Sequence, residues 1–185
     1  MTLLWGEHKK LIQTVVEVVN HRVPVFTGTT SLNTRRIIEK TRGPRDVGSD
    51  GVLNGVPMWL QSSVENAVQC YVNLAEACPA MAIMIYHNPP AFRVTIPPAA
   101  FKQLGKVRNI VAVKQAVTEL NQLMATIRAC GDEISVLMSD RCCFPAMKFG
   151  ARGEIDEAAL WAGQRWAELG EKYRAAVERS PAGVA

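Results

Sequence analysis

The chain has 185 residues, 48% apolar, 21% charged and 6% aromatic, and 21 Lys and Arg against 17 Asp and Glu leave a formal net charge of +4. That composition excludes a disordered segment, and no basic stretch longer than Lys9-Lys10 or Arg35-Arg36 offers a nucleic-acid footprint. No apolar run approaches the roughly 18 residues of a membrane helix, and Glu7, His8, Lys9 and Lys10 interrupt the N-terminus where a secretory signal would be apolar; the expectation is a cytoplasmic protein with no nucleic-acid or membrane partner.

In chain order, Leu11, Val15, Val18 and Val19 mark one face of a first helix, and Val23–Thr27 reads as a strand closed by Gly28. Asn33 and Thr34 cap a helix carrying Ile37 and Ile38, which Gly43-Pro44 should break, because a proline inside a helix costs about 3 kcal/mol. A strand over Gly51–Val56 follows, then a capping box over Ser62–Glu65 opens a helix with Val64, Ala67, Val68, Tyr71, Leu74 and Ala75 on one side.

Met81–Tyr86 is continuously apolar, as expected of a strand covered on both faces of a parallel sheet. Pro97-Pro98 starts a short helix through Phe101 and Leu104. Ile110–Val113 is another buried strand, followed by a helix with Leu120, Leu123, Met124 and Ile127. Ile134–Met138 is the next strand, a short helix spans Pro145 to Phe149, and a last strand lies near Ala151–Ile155. A C-terminal helix carries Ala162, Trp166, Leu169, Tyr173 and Val177 and ends in a frayed tail. The expected organisation is 1–155 in an α/β unit, 156–179 as the helix and 180–185 as the tail.

The cysteines at 70, 78, 130, 142 and 143 are odd in number and lack CxxC or zinc-type spacing. They read as small buried hydrophobes in a reducing compartment.

Six strands alternating with helices mean βαβ units and a parallel sheet. Two architectures fit, an open doubly wound sheet or a (β/α) barrel lacking some of its units, since a complete barrel typically takes about 250 residues. In both, function collects at the C-terminal ends of the strands. The polar residues expected there are Thr27, Thr29 and Thr30, then Asn54 and Trp59, then Tyr86, His87 and Asn88, then Lys114, Ser139, Asp140 and Glu154.

Lys114 stands out because it continues the buried run Ile110–Val113, where a charged side chain has little water. Loss of hydration favours the neutral amine, which attacks carbonyl carbons. The alternative is a lysine reaching the sheet rim or pairing with a carboxylate. Tyr86 ends the most apolar strand and needs a partner for its hydroxyl. His87 alternates to the other side of that strand, so it reads as structural. Gly28-Thr29-Thr30 is neither a Walker loop nor GxGxxG, and phosphate binding is weakly supported.

Taken together, VPVFTGTTSLNT (23–34), DGVLNGVPMW (50–59), IMIYHNPPAF (83–92), NIVAVKQA (109–116), SVLMSD (135–140) and GARG (150–153) closely resemble the dihydrodipicolinate synthase / N-acetylneuraminate lyase family. Within that family of class I Schiff-base lyases the likeness is nearest to hydratase-aldolases acting on benzylidenepyruvates. It runs from Leu3 to about Gly153, and the pairing of Y-x-N-P with V-x-x-K on successive strands is its most specific part.

The resemblance implies a parallel TIM-type (β/α)8 barrel, here incomplete, with about six of eight strands and the first two units missing. It implies Lys114 as the Schiff-base lysine and Tyr86 as the proton relay, with Trp59, Asn88, Ser139 and Ile155 as substrate-binding residues. No metal or organic cofactor is implied, because the lysine is itself the electron sink. The partners implied are a 2-oxo acid and an aldehyde, in a homo-oligomer.

Three departures qualify that expectation. The family's Gly-Thr-Thr/Phe-Gly-Glu motif, which holds the substrate carboxylate, would precede this chain, and Thr29 and Thr30 do not inherit its role. The C-terminal helical region is shorter than the family's. Where the synthases carry an arginine five residues after the tyrosine, this chain has Ala91, which with Trp59 and Phe92 favours an apolar or aromatic aldehyde. The competing readings are a synthase-like activity, an inactive fragment serving as an oligomerising module, and an open-sheet domain binding a small anion or nucleotide.

Overall fold

The computed structural model describes residues 3–117, 119–139 and 143–155. Contacts divide the chain into two units, Met1–Glu154 and Ile155–Ala185. The expected C-terminal helix at 156–179 and the tail at 180–185 lie outside the described residues.

The described residues of the first unit form seven helices and six strands: α1 (Trp5–Val19), β1 (Phe26–Gly28), α2 (Thr34–Asp46), β2 (Gly51–Asn54), α3 (Val64–Ala77), β3 (Ala82–His87), α4 (Pro89–Phe92), α5 (Pro98–Leu104), β4 (Ile110–Gln115), α6 (Leu120–Cys130), β5 (Ser135–Met138), α7 (Cys143–Lys148) and β6 (Gly153–Glu154). All strand pairs are parallel. Each strand pairs with its neighbour in sequence, in the order β1-β2-β3-β4-β5-β6. A doubly wound sheet reverses its order at a switch point; none occurs here, and the sheet is the curled six-stranded part of a (β/α) barrel.

Alternation and register assign the two faces. Val52, Ile83, Ile85, Val113, Val136 and Met138 share one face and are almost fully buried, in one cluster with Tyr71 and Leu74 of α3, Phe101 and Leu104 of α5, and Leu123 of α6. The opposite, inner face carries Leu53, Met84, Tyr86, Ala112, Lys114 and Leu137. The helices therefore cover one side of the sheet, and the two residues singled out for chemistry point to the other.

Local chemistry explains the starts of α2 and α3. Asn33 Oδ1 accepts from the Arg36 amide at 2.9 Å, and Ser63 Oγ from the Asn66 amide at 3.2 Å. The second cap lies one residue beyond the expected Ser62–Glu65 box, because α3 begins at Val64 and places Glu65 in the first turn. There Glu65 bonds its own backbone amide and the Ser63 side chain, which lowers its pKa.

Two expectations need correction. α2 is not broken at Gly43-Pro44 but runs through them to Asp46. Pro44 falls in the last turn, where a missing N–H forfeits a single helical bond, and its carbonyl accepts from the Ser49 amide at 2.9 Å. Gly43 has a packing role: a Cβ there would lie 3.1 Å from the Trp5 ring, so the glycine lets α1 approach α2.

The second correction concerns α1, which carries two overlapping apolar stripes. The expected Leu11, Val15 and Val18 are exposed, whereas Trp5, Ile12, Val16 and Val19 are at least partly buried. Packing on α2 selected that second stripe, of which the expectation held only Val19. Cys70, Cys78 and Cys130 are free and buried, as expected of apolar thiols, and burial pushes the Cys130 pKa up to about 12.

Candidate active site

The C-terminal ends of β3 and β4 bring together the residues best suited to chemistry. Tyr86 and Lys114 are direct register partners on these adjacent parallel strands. Both side chains leave the inner face, and the Lys114 Nζ stands 5.0 Å from the centroid of the Tyr86 ring. Lys114 is only 8% exposed, and among the described residues no carboxylate lies within ion-pair distance of it.

The surroundings of Tyr86 come from the chain that follows it. Asn88 Nδ2 donates to the Tyr86 hydroxyl at 3.2 Å, while Asn88 Oδ1 accepts from the Ala91 amide at 3.3 Å and caps α4. The Asn88-Pro89 pair is a legible helix start, a capping residue followed by proline at the first helical position, and the sequence reading passed over it. α4 then turns Phe92 back onto Tyr86, ring edge to ring face, with centroids 5.4 Å apart.

Phe92 fits because β2 is followed by Gly55: a Cβ at that position would collide with the Phe92 ring. Gly55→Ala should displace the ring and destabilise the fold by about 1–3 kcal/mol, as overpacking does. A urea unfolding midpoint unchanged from the parent would show that Phe92 is not seated against this backbone.

Other candidates are committed to internal bonds. The Thr29 hydroxyl donates to Asn54 Oδ1 at 3.3 Å and accepts from Thr41 at 3.2 Å, and Asn54 Nδ2 donates to the Gly55 carbonyl at 2.9 Å. Thr30 Oγ1 accepts from the Gly55 amide at 2.9 Å. These groups brace the loops after β1 and β2. Phe92 is buried as well, so it acts as packing against Tyr86 rather than as an open aldehyde contact.

Of the expected substrate-binding residues, Asn88 reaches Tyr86. Ser139 follows β5, its amide donating to the Gln115 carbonyl at 3.1 Å. Trp59 is 75% exposed and lines a cavity of about 380 Å3 with Leu32, Asn33, Pro57, Leu60 and Ser62, a wall that contains neither Tyr86 nor Lys114. Ile155 opens the second unit, and Asp140 lies outside the described residues.

The sequence reading missed Gln115. Its Oε1 faces His87 Nδ1 at 2.7 Å on the helix side of the sheet, and the only available signal was its place one residue beyond Lys114 in a buried strand.

Comparison with known proteins gives the family of the chain. The chain is 42% identical over 113 residues to a trans-O-hydroxybenzylidenepyruvate hydratase-aldolase of Pseudomonas aeruginosa, an alignment covering 61% of this chain and 34% of that protein. It is 37% identical over 175 residues to a 4-hydroxy-tetrahydrodipicolinate synthase of Geobacter metallireducens, covering 94% of this chain and 60% of the relative. Its fold superposes with a TM-score of 0.85 and 29% identity on a dihydrodipicolinate synthase of Acinetobacter baumannii solved with pyruvate, covering 91% of this chain and 58% of that one. The matched segments thus span between about a third and three fifths of these relatives. Residues 1–180 match the Dihydrodipicolinate synthetase family, and with the curled parallel sheet and the sequence relatives this establishes that the chain belongs to that family.

Proposed function

We propose that this chain carries the Schiff-base centre of a lyase that makes or breaks a carbon–carbon bond next to a pyruvate-derived ketone. The observation that supports this most directly is the Lys114–Tyr86 pair, a shielded amine 5.0 Å from the centre of a phenol ring with no carboxylate neighbour among the described residues. The neutral amine of Lys114 attacks the ketone carbon and gives a carbinolamine, which loses water to form an iminium. The iminium withdraws electrons from the adjacent carbon, so the bond between that carbon and the carbinol carbon beyond it breaks. An aldehyde leaves, and the enamine is protonated and hydrolysed back to free lysine and pyruvate.

Tyr86 takes and returns protons at the carbinolamine and carbinol oxygens. Asn88, bonded to the phenol oxygen, orients it. No other cofactor is called for, since the imine nitrogen accepts the electrons.

Ala91 offers no cation for a second carboxylate, and the Pseudomonas relative is named for a benzylidenepyruvate. Both favour an apolar or aromatic aldehyde, and hence hydratase-aldolase chemistry over synthase chemistry. The test is borohydride reduction of the protein with pyruvate, followed by peptide mass mapping. A reduced pyruvyl group on Lys114 is the expected product; no adduct, or one spread over surface lysines, would favour the inactive-module reading.

A further inference from the structure

The pair directly beyond Tyr86 and Lys114 in the same register is His87 and Gln115, on the opposite face of the sheet. Both are buried, and His87 meets Phe101 of α5 edge-on at 5.4 Å. His87 Nε2 lies 3.0 Å from the Ile96 amide, which can only donate, so Nε2 is an acceptor and holds no proton. In a neutral imidazole the proton then sits on Nδ1, which donates to Gln115 Oε1 at 2.7 Å. The two contacts select one protonation state and one tautomer. They also orient the Gln115 amide, whose Nε2 has no hydrogen-bond partner among the described residues.

This ring joins three pieces of chain. It ties β3 to β4 one residue beyond the Tyr86–Lys114 pair. It also holds Ile96, which ends the segment running from Asn88 through Phe92, the two residues that touch Tyr86. We propose that His87 is a positioning residue, a neutral clamp that closes the 88–96 segment onto Tyr86 and opens when it is protonated. Its influence on the reaction rests on the Schiff-base reading; the clamp itself does not.

The physical reason for opening is a donor clash. Protonation gives Nε2 a hydrogen that faces the Ile96 N–H, and that contact must break. The groups facing the ring are uncharged: Gln115 from β4, the Ile96 amide from the chain before α5, and Phe101 from α5. Lys114, the nearest cation along β4, leaves from the other face. Burial lowers the His87 pKa below its ordinary 6.5, and the Gln115 bond opposes that shift in part. The clamp is therefore complete above pH 6.5 and is lost as the pH falls through the depressed value.

The decisive measurement is nitrogen NMR of the whole chain as pH falls, combined with hydrogen exchange at the Ile96 amide. The expected spectrum at neutral pH shows His87 protonated on Nδ1 alone. Acid titration should add the second proton together with loss of Ile96 protection by at least tenfold beyond the intrinsic pH dependence of exchange. His87→Gln, which can still accept from Ile96 but does not titrate, should keep the protection and remove its loss in acid. His87→Asn, too short to reach Ile96, should lose protection at every pH.

A proton on Nε2 at neutral pH, or Ile96 protection indifferent to His87 protonation, would overturn the proposal in the parent protein without recourse to a variant. The catalytic consequence is read separately, as a fall in kcat in acid that His87→Gln rescues. If the parent forms no pyruvate adduct, the Schiff-base reading fails while the clamp still stands or falls by its spectrum.

Discussion

Lys114→Met is expected to abolish the borohydride-trapped pyruvate adduct and all turnover, yet to leave the folding free energy within about 1 kcal/mol of the parent. The side chains are similar in volume, so the core is not reopened. Two opposing contributions disappear with the amine: its contact with the face of the Tyr86 ring, and the burden of a shielded polar group with no carboxylate partner among the described residues. Mass mapping and urea unfolding on the same preparation separate the outcomes. An adduct that survives the substitution would move the chemistry to another lysine, and a collapse in stability would make Lys114 a structural residue.

Tyr86→Phe is expected to lower kcat by about 10²–10⁴-fold, the range of a positioned acid or base, while an imine at Lys114 should still form, more slowly. The ring, its edge contact with Phe92 and its face toward Lys114 all remain. What is lost is one hydroxyl bonded to Asn88, worth about 0.5–1.5 kcal/mol net. Single-turnover trapping alongside steady-state rates shows whether chemistry or binding has changed. A variant with unaltered kcat would remove the phenol from the proton path.

Much of the fold was readable along the chain because the physics that marks its elements is local. Ile83 and Ile85, or Val113 and Ala112, leave no polar face, which is what a strand covered on both sides requires. Asn33 and Ser63 announce helix starts because their side chains satisfy orphan amides. The strand ends were less legible. Val23 and Val25 have strand-forming character, yet the ladder begins only at Phe26, since the Val25 amide donates to the Asp50 side chain at 2.7 Å instead of to the neighbouring backbone. The stripe on α1 was misjudged for a related reason: Leu11-Val15-Val18 and Ile12-Val16-Val19 are equally good helical faces, and only the approach of Gly43 and Trp5 decides between them.

At the candidate site the same division holds. Lys114 was conspicuous as a charge at the end of an apolar run, and Tyr86 as a phenol in the same position one strand earlier. That Asn88 would reach the phenol, and that Phe92 would fold inward against Gly55, depended on a four-residue helix whose start signal was present but unused. Trp59 was drawn toward the site by its chemistry, and the tertiary structure set it against a separate cavity.

Residue types and their spacing by themselves determined that this is an alternating α/β chain with six strand-forming runs, one of them ending in an amine and the preceding one in a phenol. Tertiary structure alone decided that these two side chains are register partners, that the sheet keeps sequential order and curls, and that His87 bonds Gln115 and Ile96 behind them. The reason is that burial and capping are local preferences written in the order of residues. Register, and the choice between two faces of one helix, are settled by contacts between segments far apart in the chain.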